Sequence, residues 1–562
     1  MSRLHLVALI AIVLPSKPAA QTALPLKHAP TPTEPAITAR DLETRLYIFS
    51  DDSMQGREAG TAGNVTGTNY IAAEIKRLGL VPAGDGGTYF QTIPLKTRTL
   101  DETSTFTIAG TGLTAFTDYL PLGPQSLENP SLPVVYGGEA ADSAHRISPE
   151  QATGKLVVFQ VSGGFSSLRA LRSGPTVPGA AAVALIALDS FPRQFIGFLR
   201  RPRAFLDGDQ TPPSGPAGFL ITRATAAKLF TTPVEQLTPG SAGISVAVAV
   251  RFTVAPVPEP ARNVVGIIPG SDRKLKNEYV AVGAHNDHIG LARTVDHDSI
   301  RIWNHVVRPE GADDAGKQAT AEQQATVDSL LAAFRAAHPS AGRADSISNG
   351  ADDDGSGTVA ALEIAERMAS LKTKPKRSIL FVWHTAEEKG LLGSRFFTDH
   401  PTVPRDSIVA QLNMDMVGRG AAGDETGRTK DGAPLHGGPN YVQLVGSRRL
   451  STELGDLIEK VNTQDHHNLA FDYAIDANGH PSNIYCRSDH YEYARYGIPI
   501  TFFTTGLHSD YHQVTDEPEY IDYEHMARVA RLVEDVAVHV ANLDHRLVVD
   551  QPKPDPKGTC RQ

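Results

Sequence analysis

Apolar positions along the chain change their spacing twice, and the changes divide it into three textures. From Ala39 the segment ARDLETRLYIFS carries apolar residues at helical spacing, and the glycine-rich loop MQGREAGTAGN interrupts it. A second helix is predicted over Thr66–Leu78, where Tyr70, Ile71, Ala73, Ile75 and Leu78 fall partly on one face before Gly79 stops it. From about Leu100 to Val257 the pattern shortens to β-like runs, LPVVYGG, GKLVVFQVS, AAVALIAL and ISVAVAVRF, separated by Gly, Pro and Ser clusters. This texture predicts a mostly β inserted domain that covers or borders the site.

After Arg262, wholly apolar strands alternate with helices. They are NVVGIIPG, YVAVGAH, a helix from Thr358 to Ser370, SILFVWHT, IVAQLNMDM, PITFFTTG and a terminal helix over Tyr523–Leu543. Such alternation predicts an α/β fold, a mostly parallel mixed sheet with helices on both faces. Ligands of such sheets sit beyond the carboxyl ends of the strands. A polar excursion between Gly290 and Asn349 contains a predicted helix over Lys317–Ala337, with Leu330, Leu331, Phe334 and Ala337 at helical spacing, and reads as a surface elaboration. The expected division is 39–99 and 258–548 as one domain interrupted at 291–348, 100–257 as the insert, and 549–562 as a tail.

Length agrees with more than one core, since 562 residues exceed what a single interior organises. With 41% hydrophobic and 21% charged residues the composition is that of a globular protein. A formal charge of −10 without a basic stripe excludes nucleic acid as a partner class. At the N-terminus, Arg3, the apolar run Leu4–Leu14 and the small residues Ala19, Ala20 and Ala23 fit a secretory signal peptide over residues 1–23. A Pro- and Thr-rich leader follows over 24–38, so a periplasmic or secreted location is expected. The apolar run is too short to span a membrane, and no later segment is long and apolar enough. Two cysteines, Cys486 and Cys560, exclude a disulfide scaffold and leave two readings, a bridge that ties down the tail or a free Cys486 near the site.

Six side chains carry the candidate chemistry: His285, Asp353, Glu387, Glu388, Asp415 and His512, in the frames GAHNDH, GADDDGSG, TAEEKGLLGS, LNMDMVG and YHQVTDE. Two histidines and several carboxylates can hold two divalent cations and leave one carboxylate to take a proton. His285 ends an apolar strand, where Asp287 can accept the other ring N–H. Three consecutive aspartates, Asp352 to Asp354, repel one another unless a cation compensates, although an acidic helix N-cap is the structural alternative. An EF-hand fails because no glutamate stands at its twelfth position. A near-copy, GADDAG at 311–316, is set aside because the later copy opens an apolar helix. Neighbouring Glu387 and Glu388 point in different directions, so one can bind metal while the other acts as base. Asp415 stands in an apolar run, where a carboxylate without a partner is costly. GLHSDYHQVTDE adds His508 and His512, with Asp516 downstream as an acceptor.

On these frames the chain resembles the M28 family of zinc aminopeptidases over nearly everything after residue 23. GREAGTAGN with YIAAEIKRLGLVPAGDGGTYFQTIPL resembles the family's N-terminal segment, and residues 100–257 resemble its protease-associated insert. The resemblance implies two Zn²⁺ per chain, one held by His285 and Asp415, the other by Glu388 and His512, with Asp353 bridging. It implies Glu387 as general base and Tyr511 as the group that stabilises the oxyanion. SDHYEYARYGIP resembles the SDHxxF segment that lines the pocket, with Tyr493 in place of phenylalanine, so Ser488, Asp489 and His490 are expected there, together with Arg419. Asp352 replaces a common asparagine, and the insertion after Gly290 is longer than the family's.

The implied activity is removal of N-terminal residues from peptides, the substrate held by its free α-amine. Two rivals remain. A carboxypeptidase or dipeptidase of the same family would use Arg419 or Arg487 for a substrate carboxylate, and a receptor-like binding protein would keep the fold without catalysis. Glutaminyl cyclase, a relative with one zinc, is disfavoured because ligands for two metals are present.

Overall fold

A computed structural model describes residues 29–163, 177–191, 193–208, 215–314, 316–339 and 342–562. The predicted signal peptide and the first residues of the leader lie outside them. Nine strands form the main sheet: β1 (Val81–Pro82), β2 (Phe90–Thr92), β3 (Arg262–Ile268), β4 (Tyr279–His285), β5 (Ser378–His384), β6 (Ile408–Met414), β7 (Tyr441–Val445), β8 (Ala470–Asp472) and β9 (Ile500–Thr504). Their order is β1-β3-β5-β4-β6-β9-β7-β8, with β2 also paired to β3. The central β5, β4, β6 and β9 run parallel, whereas β3 and β7 join them antiparallel.

The apolar strands are explained by burial on both sides. In β5, Ile379, Phe381 and Trp383 enter one core while Leu380 and Val382 enter another, the period-two alternation of a pleated strand. Around the sheet stand α1 (Ala39–Phe49), α2 (Ala62–Arg77), α3 (Gly357–Ser370), α4 (Leu392–Asp399), α5 (Thr452–Gln464), α6 (His490–Ala494) and α7 (Tyr523–Asn542). Residues of α1, α2, α3, α5 and α7 fill the first core, and residues of α4 and α6 fill the second. Each Val, Leu, Ile or Phe side chain so buried contributes about 1.5–3 kcal/mol, so losing either helical layer would leave the central strands wet on that face.

Helix α2 begins four residues before the predicted start at Thr66. Glycines argue against helix by propensity, but here they serve close packing. A Cβ on Gly67 would lie 3.3 Å from both Phe49 Cε2 and Arg57 Cδ, and one on Gly63 would lie 2.1 Å from the Met54 carbonyl oxygen.

Between Thr105 and Val250 a five-stranded sheet (Tyr119–Pro121, Ala217–Ile221, Ala182–Ile186, Leu156–Gln160, Val134–Glu139) packs on a four-stranded one (Thr111–Gly112, Thr105–Ile108, Val246–Val250, Leu127–Leu132). They share an interior that includes Phe106, Val158, Phe219 and Val248. From this region Arg201 donates to the carbonyls of Ile289 and Leu291, beside the end of β4.

The excursion after Gly290 is more ordered than expected. Its ends pair as strands, Leu291–Asp296 with Ala344–Ile347. Helix His297–Val307, capped by Asp296, was not predicted, and the predicted helix starts at Ala321 rather than Lys317. Thr320 and Gln323 form a capping box that sets this start. Cys486 and Cys560 are bonded, so the tail is tied back. Among the described residues no helix is long and apolar enough to cross a membrane.

Candidate metal centre

All the carboxyl ends of the parallel strands open on one crevice. β4 ends in His285, β5 leads through Ala386 to Glu387 and Glu388, β6 leads to Asp415, and β9 leads towards His512. Asp353 and Asp354 enter from the turn that precedes α3. Ala386, Met416 and His512 have φ of 56°, 59° and 55°. Such left-handed L residues cost about 1–3 kcal/mol each and persist only where the surroundings over-determine them.

Asp353 stands at the middle. Its Oδ1 lies 3.1 Å from His285 Nε2 and its Oδ2 lies 3.0 Å from His512 Nε2, so the two histidines flank one carboxylate. Around His285 stand Asp415 Oδ1 at 3.7 Å and Glu387 Oε2 at 3.9 Å. On the other side, His512 Nε2 is 3.0 Å from Glu388 Oε2. The Asp353 backbone is held by Asp516, whose Oδ2 accepts the N–H of Asp353 at 3.1 Å and whose Oδ1 accepts that of Asp352 at 3.0 Å. Burial pushes the Glu387 carboxyl well above its ordinary range; the Glu388 and Asp415 carboxylates push the same way, and His285 opposes them.

The donor set suits divalent cations. Asp353 Oδ2, Glu388 Oε1 and the ring nitrogens of His288 are buried and crowd one another at close range without well-aligned hydrogen bonds, an arrangement that a cation between them relieves. Ligand atoms of His288, Asp353, Glu388 and His512 lie within 4.8 Å of one another, as do those of His285, Asp354 and Asp415. In the second group Asp354 is already engaged, because Oδ2 accepts the His285 N–H at 2.9 Å and Oδ1 accepts the Gly357 N–H at 2.8 Å. Asp353 Oδ1 is therefore the better partner for His285 and Asp415. Imidazole nitrogens with carboxylate oxygens are the chemistry of borderline first-row cations.

Two residues here escaped the sequence reading. His288 Nδ1 lies 2.8 Å from Glu388 Oε1, and its signal was a second imidazole inside GAHNDH. Arg57, from the GREAG loop, is fully buried and donates to the carbonyls of Phe49, Asn349 and Gly350, latching that loop under the aspartate turn. Burial pushes its pKa down to about 10, against the pull of Asp516 and Asp354, so it stays a cation at neutral pH. Its signal was a lone arginine among glycines.

Four expected positions differ. Asp287 does not accept from the His285 ring through its carboxylate: the main-chain oxygen is 3.0 Å from Nδ1, the carboxylate 3.8 Å. That carboxylate instead accepts the Glu387 N–H at 3.0 Å. Arg419 is buried away from the pocket, bonded to Asp510 at 2.9 Å and Asp424 at 3.3 Å, because a buried cation needs its own counter-charges. Asp489 is buried against His384, 3.4 Å away, and His490 stacks on Phe502 with ring centroids 4.8 Å apart. Successive residues at a helix start rotate by about 100°, so only Ser488 of the three faces the crevice. Its hydroxyl donates to Asp415 Oδ2 at 2.7 Å.

Beside the cluster lies a pocket lined by Met416, Ile475, Ile484, Phe502 and Leu507, with Arg428 and Arg487 on its wall. Tyr511 lines it too, its ring stacked on His512 at 4.1 Å and its hydroxyl accepting from Arg487 at 3.1 Å.

The sequence profile of peptidase family M28 matches residues 263–537. Leucine aminopeptidase 1 of Sclerotinia sclerotiorum is 32% identical over 195 residues, 33% of this chain and 44% of that protein. Leucine aminopeptidase 1 of Pyrenophora tritici-repentis is 31% identical over 204 residues, 34% of this chain and 46% of that protein. The matched segment thus spans less than half the length of these curated relatives. The solved aminopeptidase from Aneurinibacillus sp. strain AM-1 is similar in fold, with a TM-score of 0.50 at 17% identity, over 92% of this chain and 97% of that one. Residues 263–537 of this chain therefore form a segment of the peptidase family M28 type.

Proposed function

We propose that the chain is an exported aminopeptidase that uses two zinc ions to hydrolyse the N-terminal bond of peptides. In this reading His285 and Asp415 would hold one ion and Glu388 and His512 the other, with Asp353 within reach of both pairs. When bound there, zinc would supply Lewis acidity and an activated water near neutral pH. Glu387 takes a proton from the attacking water and hands it to the leaving amine. Tyr511, on the pocket wall, donates its hydroxyl to the developing oxyanion. Ser488 fixes the rotamer of Asp415 through its 2.7 Å bond.

The observation that carries this reading is the division of one carboxylate between two imidazoles, Asp353 Oδ1 to His285 and Oδ2 to His512. A carboxypeptidase needs a free cation for the substrate carboxylate. Arg419 and Arg487 each already hold a carboxylate, which favours the aminopeptidase. The composition of residues 1–23 and the Cys486–Cys560 bond support export. The two sheets between Thr105 and Val250 are read as the protease-associated insert.

Glu387→Gln tests the assignment. Hydrolysis of leucine p-nitroanilide should fall at least about 100-fold, the usual scale of a lost general base. Zinc content by elemental analysis should stay at two ions per chain. One ion in the wild type would refute the two-metal reading, and retained turnover in the variant would refute the role of Glu387.

A further inference from the structure

The turn Gly311–Asp314 belongs to the excursion set aside as surface elaboration, yet it docks on the rim of the pocket. Gly311 has φ of 56°, and a Cβ there would lie 2.6 Å from the Tyr511 carbonyl oxygen and 2.9 Å from that of His508, so the approach admits only glycine. The Ala312 N–H donates to that Tyr511 oxygen at 3.1 Å. Behind the turn, Asn304 bonds Gln513 at 3.3 Å and His297 bonds the Tyr520 hydroxyl at 3.2 Å, so the excursion is anchored along the segment that carries His512.

Two acids, Asp313 within this turn and Glu310 just before it, each meet one of the two arginines on the pocket wall. Asp313 takes both terminal nitrogens of Arg487, at 2.6 Å and 3.2 Å. Glu310, itself buried, pairs with Arg428, which also holds Glu425 at 2.9 Å. Ile475, Ile484, Phe502 and Leu507 give the rest of the wall an apolar stretch, among the neutral polar side chains Thr426, Gln443 and Thr504.

We propose that the Gly311–Asp314 turn is a specificity determinant: its Asp313 and the adjoining Glu310 mask Arg487 and Arg428, so the pocket accepts neutral apolar N-terminal side chains and rejects carboxylate-bearing ones. This rests on the aminopeptidase reading above. A substrate carboxylate would have to displace Asp313 from a two-pronged contact on Nη1 and Nη2, and the Tyr511 hydroxyl already takes a further N–H of Nη2. Without the two acids the same wall would present the Arg487 guanidinium to an N-terminal Asp or Glu, while Arg428 would keep only Glu425. Selectivity then arises as much from occupying the wrong partner's anchor as from the apolar surface.

The test compares the zinc-loaded wild type with Asp313→Asn/Glu310→Gln on leucine and glutamate p-nitroanilides. The glutamate-to-leucine ratio of kcat/KM should rise about tenfold, the scale of one gained charged contact at a partly exposed site. Adding Arg487→Met should return the ratio towards the wild type. Asp313→Asn alone, which preserves shape, serves if the double variant melts early. Calorimetric titration with L-glutamate and L-leucine reads the same preference without turnover. A wild type inert on both anilides would therefore sink the aminopeptidase reading while binding still decides the masking. An unchanged ratio with unchanged glutamate binding in a variant that melts like the wild type overturns the proposal, as does a rise that survives Arg487→Met.

Discussion

His490 offers a quantitative check on the packing behind the crevice. Its ring is fully buried and stacked on Phe502, and burial pushes its pKa down to about 3. In the unfolded chain the same imidazole titrates near 6.5. Because the folded pKa is depressed, the unfolded state binds the extra proton, and the stability present above pH 6.5 is lost as pH falls towards 3. The full window amounts to about 5 kcal/mol, and at pH 5 the loss is about 2 kcal/mol, at about 1.4 kcal/mol per unit. Other groups titrate in this range, so the measurement is a difference. Urea denaturation of the wild type and His490→Phe at pH 8 and pH 5 isolates the imidazole, since phenylalanine keeps the stack and cannot be protonated. The variant should gain about 2 kcal/mol on the wild type between these pH values. Parallel stability curves would show that His490 reaches solvent or a proton acceptor in the folded state, and the argument would fail.

Arg45 is 1% exposed and pairs with Glu74 at 2.6 Å as well as with Glu363 and Glu366, joining α1 to α2 and α3. Arg45→Ala leaves the buried Glu363 carboxylate without a counter-charge, while Arg77 still serves Glu74 and Glu366, and should cost about 3–5 kcal/mol in urea denaturation, whereas a loss under about 1 kcal/mol would mean that the cluster is solvated. Cys560→Ser opens a loop that joins residues 74 apart in sequence. By loop entropy it should destabilise the oxidised protein by roughly 4 kcal/mol, read as a lower urea midpoint, and reducing agent should then leave the variant unchanged.

Local pattern alone determined much of this protein. Each central strand of the main sheet was legible because burial on both faces demands unbroken apolar runs, as in SILFVWH, and the candidate ligands stood out as charges at the ends of those runs. The expectation that His285, Glu387, Glu388 and Asp415 share one crevice followed from the rule that parallel strands open at their carboxyl ends, whereas Asp353 and His512 joined them through their motif frames and the family resemblance. Partner identity is another matter, because it depends on contacts between residues far apart in sequence. GADDAG and GADDDG look alike as strings, yet one sets Asp313 against Arg487, 174 residues away, while the other sets Asp353 between His285 and His512. Arg419 and Arg487 were equal candidates for a substrate carboxylate until folding supplied each with an aspartate. His288, Arg57 and the bonding of Cys486 to Cys560 were likewise decided by tertiary structure. Spacing along a chain reports which face a side chain takes, whereas the charge or sulfur it meets there is set by the packing of segments that no short window contains.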